Sequence, residues 1–228
     1  MLLLSIDTSG KQGSIALARA GERSGDGYDV ELIETGPLSG GAFSAELVPR
    51  IAALLSSRGF TKNDIGAFAV ASGPGSFTGL RIGLAAVKAL AEVLGKPIAA
   101  VPLLEVCAFT SGVEGKIMAA LDAGRSEVYV GDYEIPVAPG RNPRERVLTR
   151  SEFLVQAKGW TVVTPDSVLA DAACAAGLSV STMAPISAAA VARLGWRRIH
   201  SGETVTPEQL EANYIRRTGA EMLERIGP

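Results

Sequence analysis

The chain has 228 residues, 47% of them apolar, with a formal net charge of −2 and a pI near 5.6. That length suits one large domain or two compact lobes with a sizeable core. The charge excludes a global basic field able to hold nucleic acid unaided. Local basic clusters at Arg141, Arg144, Arg146 and Arg150, and at Arg193, Arg197 and Arg198, read as solvated surface. The two cysteines, Cys107 and Cys174, lie in apolar, helix-like segments. They read as small core residues in a reducing compartment, not as a disulfide or a metal pair.

The first segment, Met1-Leu-Leu-Leu-Ser-Ile-Asp7, lacks the basic start of a signal peptide and reads as a core strand. Ser14 to Arg19 and Tyr28 to Thr35 alternate as strands do, which predicts a three-stranded antiparallel meander. A helix is predicted from about Ala42 to Ser57, with Phe43, Leu47, Ile51, Leu54 and Leu55 on one face. Pro49 should kink or shorten it. Thr61 opens a short helical turn before an apolar strand, Ile65 to Ala71.

The most informative segment follows: Ser72-Gly-Pro-Gly-Ser-Phe-Thr-Gly-Leu-Arg81. It joins that strand to a helix ending at Leu94, stopped by Gly95 and Pro97. Ser76 or Thr78 can cap the helix start. Gly73, Pro74, Gly75 and Ser76 allow two readings: an anion site at a helix N-terminus, or a tight structural turn. The loop is not a Walker A loop, because no Lys follows a Gly at the required position. The helix is apolar except for Arg81, Lys88 and Glu92, the longest such stretch in the chain. Those charges rule it out as a membrane span, so the cytoplasm is the expected compartment.

Beyond Pro102 the pattern partly restarts. Lys116 to Leu121 is strand-like and leads to Asp122-Ala-Gly124-Arg125, and Glu127 to Tyr133 forms the next strand. Strand, aspartate, turn and strand therefore occur twice, at Asp7 and at Asp122. Helices near 151–157, 167–176 and 187–200, a strand near 161–163 and a tail over 207–217 complete the reading. The repeat predicts two similar lobes, 1–103 and 104–228, with a cleft between them. The Gly21-to-Gly27 insert and the Pro136-to-Arg146 loop read as surface.

Met1 to Gly10, Ser72 to Gly83, Leu121-Asp-Ala-Gly-Arg-Ser-Glu-Val-Tyr129 and Asn213-Tyr-Ile-Arg-Arg217 together resemble the bacterial TsaB (YeaZ) family. The resemblance implies an α/β fold of two ribonuclease-H-like lobes of the actin/hexokinase/Hsp70 (ASKHA) type, each a mixed sheet flanked by helices. It also implies a non-catalytic subunit for threonylcarbamoyl transfer to the adenosine 3′ of the anticodon, in tRNAs reading codons that begin with A. A TsaD-like paralogue and a TsaE-like ATPase are the implied partners, with a homodimer as an alternative state. ATP or ADP and a metal would sit on those partners, with no cofactor on this chain. The tRNA would be met through the complex, and neither membrane nor DNA is involved. The family is often grouped with M22 peptidases, a label given little weight here.

The residues support a non-catalytic reading. The one histidine, His200, reads as a helix-end residue, and a metal site of this fold class would want a His pair with carboxylates. No Gly-x-Ser-x-Gly elbow occurs, because Phe77 follows Ser76 where glycine is needed. Asp7, Thr8 and Ser9 could form one phosphate loop and Asp122 with Gly124 another, but the preferred reading is that each aspartate bonds its own turn. On the helix after Gly79, the residues Gly79, Gly83, Ala86 and Leu90 form a small-residue face expected to meet a partner. Arg81 lies beside that face, and Phe43, Leu47 and Ile51 supply its neighbouring surface. The alternative from another class is an independent nucleotide-dependent ATPase or kinase.

Overall fold

The computed structural model describes residues 1–22, 28–136 and 143–215. The expectations for the 21–27 insert, the 136–146 loop, and Arg216 and Arg217 of the tail fall wholly or partly outside the described residues. In chain order the elements are β1 (Leu2–Asp7), β2 (Gly13–Glu22), β3 (Tyr28–Leu38), α1 (Phe43–Ser57), β4 (Ile65–Gly73), α2 (Phe77–Leu94), β5 (Ile98–Pro102) and α3 (Leu103–Thr110). Then come β6 (Gly115–Gly124), β7 (Glu127–Ile135), β8 (Arg144–Thr149), α4 (Arg150–Gln156), β9 (Thr161–Thr164), α5 (Ser167–Ala175), β10 (Ser179–Thr182) and α6 (Ala188–His200).

Two five-stranded mixed sheets result, ordered β3-β2-β1-β4-β5 and β8-β7-β6-β9-β10. In each, three strands form an antiparallel meander and the first strand of the meander pairs in parallel with the next strand of its sheet. The duplicated strand-aspartate-turn-strand pattern is thus a duplicated topology. This is the α/β arrangement of mixed sheets flanked by helices that the resemblance implied.

The first unit comprises Met1–Val106 and Pro185–Ala212, and the second Cys107–Ala184 with the chain from Asn213. The expected division at 103/104 differs at its far end, because α6 packs on the first sheet. Its inner face is Ala188, Val191, Ala192, Leu194, Gly195 and Trp196, while Arg193, Arg197 and His200 point out. Gly195 allows that contact, since a Cβ there would overlap the Ala69 side chain. The Ser5 hydroxyl donates to the Ala188 carbonyl, and the Ala188 amide donates to Ser14 Oγ at 2.8 Å.

Helices therefore cover both faces of the first sheet. That is why β1 and β4 read as nearly continuous apolar runs and are almost entirely buried. The main core holds Leu4, Ile6, Phe68 and Val70 against Leu47, Leu54, Leu80 and Val87 of α1 and α2. The second unit has its own core, including Met118, Val128, Val130, Phe153, Val162 and Leu169.

Helix α1 runs on through Pro49 to Ser57, so the proline does not shorten it, one of the two effects expected. Five buried apolar residues along one face hold it against the sheet and offset the lost backbone hydrogen bond. Thr61 and Asp64 form a reciprocal capping box on the predicted short turn. Strands β5, β8 and β10 were not anticipated. Two have only four or five residues, and β8 falls among the arginines that read as solvated surface; Arg146 in it pairs with Asp132 at 2.8 Å. Among the described residues, no helix is long and apolar enough to cross a membrane.

Candidate functional site

The carboxyl ends of β1 and β4, parallel neighbours, bring together the two segments that the sequence marks most strongly. Crevices outside such strand ends are where ligands bind in open α/β sheets. Here the two segments bind each other. Thr8 Oγ1 donates to the Gly79 carbonyl at 2.8 Å, and the Ser76 amide donates to the Ser9 carbonyl at 2.7 Å. Ser76, not Thr78, caps α2, its Oγ accepting from the Gly79 amide at 3.3 Å.

The glycines follow from this approach. A Cβ on Gly79 would overlap the Thr8 carbonyl oxygen, one on Gly83 the Thr8 hydroxyl, and one on Gly75 would lie 2.6 Å from the Ser9 carbonyl oxygen. At Gly73 the backbone has φ +116°, where a side chain is strained, and the Gly73–Pro74 peptide is cis. The structural-turn reading of this loop therefore accounts for its composition: the start of α2 is engaged by its own chain.

Asp7 is 4% exposed. Its Oδ1 accepts from the Ser9 amide at 2.9 Å and from Ser9 Oγ at 2.6 Å, so it bonds its own turn. Burial pushes the carboxyl above the ordinary aspartate range, and the two Ser9 bonds only partly offset that. The folded protein therefore binds this proton more readily than the unfolded chain does. Stability should fall as pH rises from the unfolded aspartate value through the higher folded value. Asp7→Asn is expected to raise the urea midpoint at pH 7, with the gain disappearing below about pH 4. A midpoint unchanged at both pH values would show that the charge carries no cost.

Asp122 is not an equivalent. It is exposed and lies within β6, opposite Val128, and the strand continues to Gly124. The turn itself is made by Arg125 and Ser126, both left-handed, at φ 54° and 62°. The second acidic segment is a hairpin on its own sheet.

The expected partner face must be redrawn. Phe43, Leu47 and Ile51 are buried in the core of the first unit, and Gly79 and Gly83 face Thr8. Ala86 and Leu90 are half-buried against the same core. Arg81 is exposed, its guanidinium carbon 3.7 Å from the centroid of the Phe77 ring. The outward face of α2 carries Phe77, Ala85, Ala89 and Val93, and α1 adds Val48. Phe77 is 42% exposed, Val48 60% and Val93 75%. Because α2 is apolar nearly all round, periodicity alone does not say which side is inner; the glycine stripe is the signal that does.

Other chemistry-bearing groups are not gathered. The Cys107 thiol is buried and pushed up to about 12. His200 closes α6, its ring 6.1 Å from that of Trp196. Among the described residues, no group of three or more His, Cys, Asp or Glu side chains could hold a metal ion.

Residues 38–138 match the family model described as TsaD, tRNA N6-adenosine threonylcarbamoyltransferase. The chain is 36% identical over 135 residues to the tRNA threonylcarbamoyladenosine biosynthesis protein TsaB of Bacillus subtilis, covering 59% of this chain and 56% of that one. It is 32% identical over 142 residues to the Escherichia coli protein of the same name, covering 59% and 55%. The matched stretch thus spans about half the length of these curated relatives. The solved structure of YeaZ from Pseudomonas aeruginosa superposes with a TM-score of 0.70 at 27% identity, over 93% of this chain and 99% of that one. With the two-sheet fold, these matches support a TsaB/YeaZ assignment for the chain.

Proposed function

We propose that this chain is a non-catalytic scaffold subunit for threonylcarbamoyl transfer to the adenosine 3′ of the anticodon, in tRNAs reading A-starting codons. It acts with a TsaD-like paralogue, which holds the metal and transfers the group, and with a TsaE-like ATPase. The names of the relatives support the pathway. The observation that supports a scaffold is the outer side of α2, where Phe77, Ala85, Ala89 and Val93 are exposed together with Arg81 and Glu92, and of α1, where Val48 is exposed. Small and apolar exposed residues interleaved with a few charges suit close approach of a partner helix. The engagement of Asp7 by Ser9, and of the start of α2 by Thr8 and Ser9, favours structural use of the segments that an ATPase of this fold would devote to phosphate.

Depletion of the protein is the test. The threonylcarbamoyladenosine content of tRNA is expected to fall while synthesis of threonylcarbamoyl-AMP continues, read by mass spectrometry of tRNA nucleosides and of the intermediate. An unchanged nucleoside level with the protein gone would remove the assignment. Saturable ATP hydrolysis by the isolated chain, lost in Asp7→Ala, would favour the nucleotide-dependent enzyme instead.

A further inference from the structure

The second unit carries an open basin of about 650 Å³ at the amino ends of β6, β9 and β10. Its floor includes Trp160, half-buried, with part of the ring surface packed on the local core. Parallel register places Ile117 beside Thr161, so Lys116 and Trp160 are neighbours, and the Lys116 ammonium lies 6.0 Å from the indole centroid. Lys158 is the second cation on the rim, and among the described residues no acidic side chain lines the basin. Gly159 and Gly177, at φ +80° and +74°, keep the two bordering turns open: a Cβ on either would meet nothing within 4 Å.

An aromatic surface with one long-armed cation over its ring and a second on the rim of the same basin suits a ligand with a planar ring and flanking negative charge. An unpaired nucleotide in an RNA chain has both: the base stacks on the indole and the phosphates on either side meet the lysines. We infer that this basin is a contact for a single-stranded nucleotide of RNA, distinct from the α2 face that meets protein. The inference rests on the tRNA reading above and adds a direct RNA contact by this subunit. The lysines also stand near the carboxyl ends of α4 and α5, where cations are favourable without any ligand. That role accounts for the lysines but not for the half-buried Trp160 that lines the basin with them.

The test is fluorescence anisotropy of a labelled single-stranded octaribonucleotide with the full-length chain. Saturable binding is expected, weakened roughly ten-fold in Trp160→Leu. In Lys116→Gln/Lys158→Gln the slope of log K against log salt should fall by about 1.4, about 0.7 for each phosphate that is no longer neutralised. Thermal midpoints of the variants separate ligand binding from helix-end support. Variants that shift the midpoint but bind the octamer as the parent does would assign the lysines to the helix ends and overturn the proposal. AMP competing as strongly as the octamer would make this a free-nucleotide site, and inorganic phosphate doing so a simple anion site; either result overturns it. Vesicles rich in anionic lipid displacing the octamer would overturn it in favour of a membrane surface. The scaffold reading stands or falls separately, on nucleoside levels after depletion.

Discussion

Gly79→Val should cost the fold about 3 kcal/mol or more, the upper range for inserting side-chain volume into a packed contact. The Thr8 carbonyl oxygen occupies the space where the new Cβ must go, and Thr8 is tied from its other side by its hydroxyl bond to the Gly79 carbonyl. Neither partner can withdraw cheaply. Thr8 directly follows β1, which is wholly buried, and Gly79 lies in the first turn of a helix packed on β4. A urea titration followed by circular dichroism is the measurement. Gly95→Asn is the control: Gly95 is left-handed at φ +62° with open space around it, where Asn is tolerated, so the loss should stay below about 1 kcal/mol. Equal losses in the two variants would mean that the Thr8 contact is not what constrains Gly79.

Ala85→Arg should leave stability within about 0.5 kcal/mol of the parent, because the residue is exposed. Association with the proposed TsaD-like partner should nevertheless weaken at least a hundred-fold. Ala85 lies midway round the outward face of α2, between Arg81 and Ala89, where a partner helix must come closest. A guanidinium placed at the centre of such an interface is desolvated without a counter-charge, and central positions dominate binding energy. Size-exclusion chromatography of the mixed proteins reads the result directly. Co-elution of the folded variant with the partner would move the interface elsewhere. The same variant should bind the octaribonucleotide as the parent does, since the basin belongs to the other unit.

Much of the fold was legible because the local signals agreed with the tertiary outcome. Alternation over Ser14–Arg19 and Tyr28–Thr35 became β2 and β3, and the buried stripe of α1 is the one its spacing predicted. Gly95 ends α2 in the left-handed conformation that its position after Leu94 suggested. Short elements were legible only in part. The four-residue β9 has two adjacent valines and was expected, whereas the four-residue β10 has a single apolar residue and was not. Four of the six residues of β8 are charged or polar, among them Arg146, which bonds to Asp132 of β7 and Gln156 of α4.

The candidate site divided differently. Composition and spacing by themselves determined that the Ser72-to-Gly83 junction is special, that Asp7 ends a strand, and that α2 has more apolar surface than one sheet contact requires. Tertiary structure alone decided what those features serve. It brought Asp7, Thr8 and Ser9 against Gly75, Gly79 and Gly83, showing that the glycines admit a turn of the same chain. It turned Phe43, Leu47 and Ile51 inward and left Ala85, Ala89 and Val93 outward. It returned α6 to the first sheet, although the residues of the second unit lie between them in sequence. The physical reason is that local pattern marks a small-residue stripe but not what fills it. On a helix that is small or apolar on several sides, the close approach of backbone from elsewhere in the chain is what assigns that stripe to the inner face.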